Sequence, residues 1–116
     1  IDEISISGPT EIREVSDGKI NAFQITPEDA GLGTSPLGAL EGGAPEDNAG
    51  AIRDLLEGRP GPFRDVVLLN ASAGLNLLGL AGDLKTGVQT AGEAIDSGRA
   101  LHTLSRLAEI SSGGHA

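Results

Sequence analysis

The residues best suited to chemistry stand at the front edge of the chain, Asp2 and Glu3. Mg2+ takes hard oxygen ligands in octahedral geometry, commonly one or two carboxylates with waters and substrate phosphates in the remaining positions. An adjacent Asp-Glu pair supplies such oxygens directly or through water. Neighbouring side chains diverge, so the pair serves two ions as easily as one. On residue type alone, a solvated surface pair is the commoner arrangement. The other candidates have plainer readings. His102 falls beside the Leu101, Leu104 and Leu107 stripe and reads as a solvated helix residue, while His115 sits in the tail. Ser35, Ser72 and Ser105 lack the His and Asp company of a nucleophilic triad. Arg64 and Arg99 are able to bind an anion, but pairing with acids such as Asp65 and Asp96 is the simpler role. Asn48 and Asn70 read as structural, with the Asn70 amide tying a buried helix to neighbouring backbone. Gly31-Leu32-Gly33 and Gly42-Gly43 lack the closely spaced glycines at a helix start that cradle a phosphate, and acids crowd both.

The element that must position these residues is the stretch from Pro62 to Gly82. Its middle, Val66 to Leu80, carries apolar or small residues on every face, interrupted only by Asn70, Ser72 and Asn76. Such a pattern predicts a core helix buried on all sides. A membrane span needs about 20 apolar residues, more than this run holds. Gly61 as cap, Pro62 at the first position and Asp65 in the first turn mark its start. Before it, Ile4 and Ile6 alternate with Ser5 and Ser7, the pattern of a short strand or extended turn, until Gly8-Pro9 breaks it. Thr10 to Val15 and Ile20 to Ile25 flank Asp17-Gly18, which predicts a hairpin with one wet face. Thr26-Pro27-Glu28-Asp29 spells a capped helical turn ended by Gly31 and Gly33, and Ser35-Pro36-Leu37 a second turn closing at Leu40. Pro45 to Glu57 reads as a helix with Ala49, Ile52, Leu55 and Leu56 on one face and Gly58 as its stop.

Beyond Gly82, Asp83 caps a helix whose inward face is Leu84, Val88, Ala91 and Ile95. Gly87 and Gly92 weaken that helix by about 1 kcal/mol each relative to Ala, so tertiary packing must hold it. Asp96-Ser97-Gly98 breaks the chain before a last helix, Arg99 to about Ile110, which turns Leu101, Leu104, Leu107 and Ala108 to the core.

Three segments taken in order carry a resemblance: IDEISISGPT (1–10), GGAPEDNA (42–49) and RDVVLLNASAGLNLLGLAGDLKTGVQTAGEAIDSGRALHTLSRL from Arg64 to Leu107. Together they resemble the C-terminal region of anthranilate phosphoribosyltransferases. The resemblance implies an α/β fold, the C-terminal part of a phosphoribosyltransferase/nucleoside-phosphorylase-like domain over residues 1–110, here a β-hairpin plus packed helices, with a flexible tail at 111–116. The implied activity is Mg2+-dependent transfer of phosphoribose from phosphoribosyl diphosphate to anthranilate, a cytoplasmic step of tryptophan biosynthesis. Asp2 and Glu3 match the family's magnesium-binding pair at the diphosphate. No catalytic or substrate-binding residue is implied within this segment. The family's Gly-rich phosphate loop, diphosphate-binding basic residues and anthranilate-holding Arg lie upstream of Ile1, as do the N-terminal helices of its homodimer. The segment alone is therefore expected to be inactive. One departure concerns stability: Ala44-Pro45 stands where many members carry a capping acid, a loss of ~1 kcal/mol that Pro45 and Glu46 partly offset.

Composition narrows the alternatives. The 116 residues include 17 Asp and Glu against 8 Lys and Arg, a net charge of −9. That balance opposes nucleic acid and anionic membrane as partners, since both reward cationic contacts to phosphate. Absence of Cys removes a disulfide framework or a Cys-based metal site. The 18 glycines are about twice the usual share and fall at turns and inside helices, a pattern of close packing. With no Met, an opening Ile1 and no charged-then-apolar leader, residue 1 is expected to lie inside a longer protein. Two rival readings share these features. One is a pyrimidine nucleoside phosphorylase-like relative acting on phosphate and a nucleoside. The other is a non-enzymatic helical interaction module in which Asp2 and Glu3 are dispensable.

Overall fold

Residues 3–113 are described by the computed structural model; Asp2, His115 and the end of the expected tail lie outside them. Strands β1 (Thr10–Ser16) and β2 (Lys19–Ile25) pair antiparallel, with Thr10 opposite Ile25 and Val15 opposite Ile20. The two-residue turn between them requires φ > 0 at both positions, which Asp17 (52°) and Gly18 (73°) supply. Both faces of the hairpin are largely wet. Only Ile25 at its base is buried, Ile12 leans on the core, and Val15 and Ile20 at the tip are 72% and 69% exposed.

Two 3₁₀ turns follow, Pro27–Ala30 and Leu37–Leu40. The first is closed by a reciprocal cap: Thr26 Oγ1 accepts from the Asp29 N–H (3.3 Å) and Asp29 Oδ2 accepts from the Thr26 N–H (2.8 Å). Helix α1 (Pro45–Leu56) starts without a capping side chain at Ala44. Its own first turn makes up the loss. Asp47 Oδ2 accepts from the Ala44 N–H (3.2 Å), and the Asn48 amide both accepts from and donates to the Gly43 backbone (3.0 and 3.2 Å). Of the expected stripe on α1, Leu55 is buried while Ile52 stays 47% exposed.

Helix α2 (Pro62–Leu77) ends five residues short of Gly82 because Gly79 turns left-handed (φ 73°). The Gly79 N–H then reaches the Asn76 carbonyl and the Leu80 N–H the Leu75 carbonyl, the paired bonds of a Schellman stop. Burial on all sides is not what α2 shows. Leu68, Leu69 and Ser72 are buried, but Val67, Leu77, Leu78 and Leu80 are bare. The apolar run marks a surface that this chain alone covers on one side.

Helix α3 (Leu84–Asp96) is capped by Asp83 Oδ1, which accepts from the Thr86 N–H (2.7 Å), and packs lengthwise on α2. Ala91 and Ile95 are buried and Leu84 and Val88 partly so, the inward face expected. Gly87 is where the two helices touch most closely: a Cβ there would stand 2.9 Å from Ser72 Cα. The low helix propensity of that glycine is thus exchanged for backbone approach. Helix α4 (Arg99–Ser111) follows Gly98 (φ 85°). Contrary to the expected core face, none of its residues is buried; Leu101 and Leu104 are half-buried and Leu107 is 61% exposed.

The core sits in two clusters that meet on α2. Leu69 joins Ile6, Ile25 and Ala30, and Leu68 joins Leu55, Ala91 and Ile95. The radius of gyration is 15.6 Å, against about 13 Å for a self-contained domain of this length. Among the described residues no helix is long and apolar enough to cross a membrane.

Candidate functional site

Glu3 is exposed at the start of an extended segment that forms no strand. The segment is nevertheless pinned at successive residues. Asn70, on α2, accepts from the Ile4 N–H through Oδ1 (2.9 Å) and donates to the Ile4 carbonyl through Nδ2 (3.0 Å). The same Nδ2 donates to the Val66 carbonyl (2.9 Å), which fixes the amide plane against its own helix. Next, Thr10 Oγ1 accepts from the Ser5 N–H (2.9 Å). Ile6 is fully buried, and its carbonyl accepts from the Ser35 N–H (2.9 Å). Alternation of Ile4 and Ile6 with serines therefore sets an inward side, as expected, without a partner strand.

Glu3 and Asn70 line one open cavity of about 780 Å³, whose apolar wall includes Phe63, Val66 and Val67 from α2 and Leu37 from the second 3₁₀ turn. Among the described residues no hydrogen bond or ion pair engages Glu3 in competition with a cation, and none of its neighbours builds a cluster of three or more His, Cys, Asp or Glu. The Glu3 carboxylate offers hard oxygens of the type that Mg2+ takes alongside waters and substrate phosphates. Asp2, the second ligand of the expected pair, lies outside the described residues.

Arg64 takes the structural role read from the sequence, whereas Arg99 meets a serine hydroxyl rather than the expected acid. Arg64 forms a two-pronged pair with Asp96, Nη1 to Oδ1 at 3.0 Å and Nη2 to Oδ2 at 3.1 Å, its side chain mostly buried beside Gly92. Arg99 Nε donates to Ser97 Oγ (3.1 Å), and His102 is exposed on α4. Ser72 Oγ is spent on the Leu84 carbonyl (2.6 Å), which excludes it as a free nucleophile. Burial raises the Asp65 carboxyl above its ordinary pKa, with Arg64 opposing. Hydrogen bonding from Thr34 lowers Glu28, and hydrogen bonding from Thr86 lowers Asp83. The sequence identified Asn70 as a tie to backbone but not which backbone. No local pattern links an amide in an apolar run to a residue 66 positions earlier.

The model of the glycosyl transferase family, a/b domain, matches residues 1–101. The chain belongs to this glycosyl transferase family. It is 62% identical over 111 residues to the anthranilate phosphoribosyltransferase of Hyphomonas neptunium, covering 96% of this chain and 33% of that one. The crystal structure of anthranilate phosphoribosyltransferase from Thermus thermophilus matches with a TM-score of 0.77 at 44% identity, covering 91% of this chain and 31% of the other. A Saccharomyces cerevisiae anthranilate phosphoribosyltransferase variant with Mg bound matches with a TM-score of 0.82 at 29% identity, covering 90% and 31%. This glycosyl transferase chain thus spans about a third of the length of the relatives it matches. The α/β architecture implied by the resemblance, a hairpin followed by packed helices, is the one observed.

Proposed function

We propose that this chain is the C-terminal part of an anthranilate phosphoribosyltransferase that transfers phosphoribose from phosphoribosyl diphosphate to anthranilate in tryptophan biosynthesis. The observation that carries the reading is 62% identity sustained over 96% of the chain, which favours this chemistry over the phosphorylase and interaction-module readings. Asp2 and Glu3 would hold Mg2+, an ion named in the yeast relative. When bound, the ion supplies positive charge to the departing diphosphate while the anthranilate amine attacks C1 of the ribose. The chain's own contribution is Glu3 in the lining of the cavity, together with the α2 residues that line it. Phosphate-binding glycines, basic residues, the anthranilate pocket and the homodimer contacts belong to the part upstream of Ile1, and the working compartment is the cytoplasm.

The test is an assay of the intact protein with phosphoribosyl diphosphate, anthranilate and Mg2+. Replacing Asp2→Asn and Glu3→Gln together is expected to abolish Mg2+-dependent turnover and to leave the circular dichroism spectrum unchanged. Normal turnover by that double variant overturns the site. Residues 1–116 alone are expected to show no turnover, and measurable turnover refutes the division of labour.

A further inference from the structure

We propose that Asn70 is a positioning residue for the metal-binding pair, a clamp that fixes where α2 presents Glu3. This rests on the reading of Asp2 and Glu3 as Mg2+ ligands. Three observations lead to it. First, the Asn70 amide holds both backbone polar groups of Ile4, the residue directly after Glu3. The Ile4 N–H belongs to the peptide plane that also contains Glu3 Cα, and such planes are rigid. Gripping that N–H therefore fixes the plane from which the Glu3 side chain departs, and a second bond to the carbonyl stops Ile4 from swivelling about the first. Secondly, the clamp is itself immobilised, since its remaining Nδ2 donor is bonded to the Val66 carbonyl one helical turn back. Thirdly, Glu3 and Asn70 line the same cavity. The contacts at Ser5 and Ile6 hold the segment further along, leaving Asn70 as the nearest fastening to Glu3 among the described residues.

A residue that merely glued the segment down would affect folding alone, whereas a positioning residue sets metal affinity. Partners that orient metal ligands typically change affinity about 10–100-fold when removed. The experiment uses the intact protein and Mn2+ as probe, following loss of the free-ion EPR signal with and without phosphoribosyl diphosphate, alongside the Mg2+ concentration for half-maximal turnover. Asn70→Ala removes the clamp, and Asn70→Leu removes it while keeping the side chain's volume. Ser72→Ala is the control: it breaks a tie from the same helix to Leu84, remote from Glu3. Both Asn70 variants are expected to weaken Mn2+ binding and raise the Mg2+ requirement about tenfold, while Ser72→Ala lowers the melting temperature and leaves both unchanged.

Folded Asn70 variants with native Mn2+ affinity, beside a Glu3→Gln variant that has lost it, overturn the clamp and leave the metal site standing. Native Mn2+ affinity in the Asp2→Asn, Glu3→Gln double variant overturns the metal site and the clamp together. Equal weakening by Ser72→Ala overturns the clamp in favour of general loosening of α2. Failure of both Asn70 variants to fold overturns it too, since the amide is then a fold determinant.

Discussion

The two sides of α2 are made of nearly the same kinds of residue and behave differently. On one side the polar interruptions are bonded to backbone beyond the helix: Ser72 to the Leu84 carbonyl (2.6 Å) and Asn76 Nδ2 to the Ala81 carbonyl (3.1 Å). Leu68 and Leu69 on that side are buried. On the other, Phe63, Val67, Leu77 and Leu78 are exposed, and the polar residue beside them, Asn70, holds Ile4. Hydrophobicity says that a surface is to be covered; the polar latches say by what. Among the described residues the exposed side has no latch apart from Asn70, which agrees with a cover supplied by the other two-thirds present in longer relatives.

The sharpest way to break the covered side is at Gly87. Gly87→Val would drive a branched side chain into Ser72 Cα, where even a single carbon has no room. Overpacking of this kind costs about 1–3 kcal/mol and sometimes more. With backbone opposite, the upper end is expected, read as a fall in the urea midpoint of the intact protein. An unchanged midpoint would mean that α2 and α3 do not meet as described. The bare side gives the complementary result. Val67→Lys with Leu77→Lys should reduce self-association of the isolated segment in sedimentation experiments and leave its helix content intact. In the intact protein the same pair should destabilise by about 2 kcal/mol or more, because each charge is then buried unpaired. Equal effects in both settings would show that nothing covers this side.

A third perturbation tests the seam between the helices. Arg64→Ala removes a two-pronged pair with Asp96 and is expected to cost about 1–2 kcal/mol in urea titration, more than an exposed ion pair because Arg64 is mostly buried. Arg64→Lys should recover only part of it, a point charge replacing a planar fork. Full recovery by lysine would reduce the contact to simple charge attraction.

How much of this was legible follows from the range of each interaction. Asp17-Gly18, the Thr26 and Asp29 cap, Gly58 and Asp83 act within a few residues, and the elements they bound appear where the sequence puts them. The Schellman stop at Gly79 was equally local but was masked by the apolar residues on either side of it. Burial was less legible because it depends on what lies opposite. The Leu107 stripe and the outer half of α2 have core-like patterns, yet the pattern cannot distinguish a neighbour within the chain from one outside it. At the candidate site the acidic pair was visible only through a family resemblance. Its anchor at Asn70 was visible as an amide in need of partners, with the choice of Ile4 fixed by tertiary structure.

The smallest expected effect compares the acids near the starts of the two packed helices, and here the sign matters more than the size. Asp65, in the first turn of α2, has its pKa raised chiefly by burial, with Arg64 opposing. Asp83, the cap of α3, has its pKa lowered by hydrogen bonding from Thr86. A group raised in the folded state contributes stability that is fully present below its unfolded pKa, about 3.9 for Asp, and is lost as pH rises through the folded value. A lowered group contributes stability that is present above about 3.9 and is lost as pH falls through the folded value. Asp65→Asn should therefore stabilise the protein near neutrality, with the advantage fading in acid. Asp83→Asn keeps a capping side chain and removes only the charge, so it should destabilise near neutrality, with the difference also fading in acid. Urea midpoints measured from neutral pH down to about pH 3, on the acid side of the ordinary carboxylate value, should give difference curves that start with opposite signs and converge. Curves of the same sign would mean that burial does not dominate at Asp65, and that the edge of α2 there is as wet as the cap of α3.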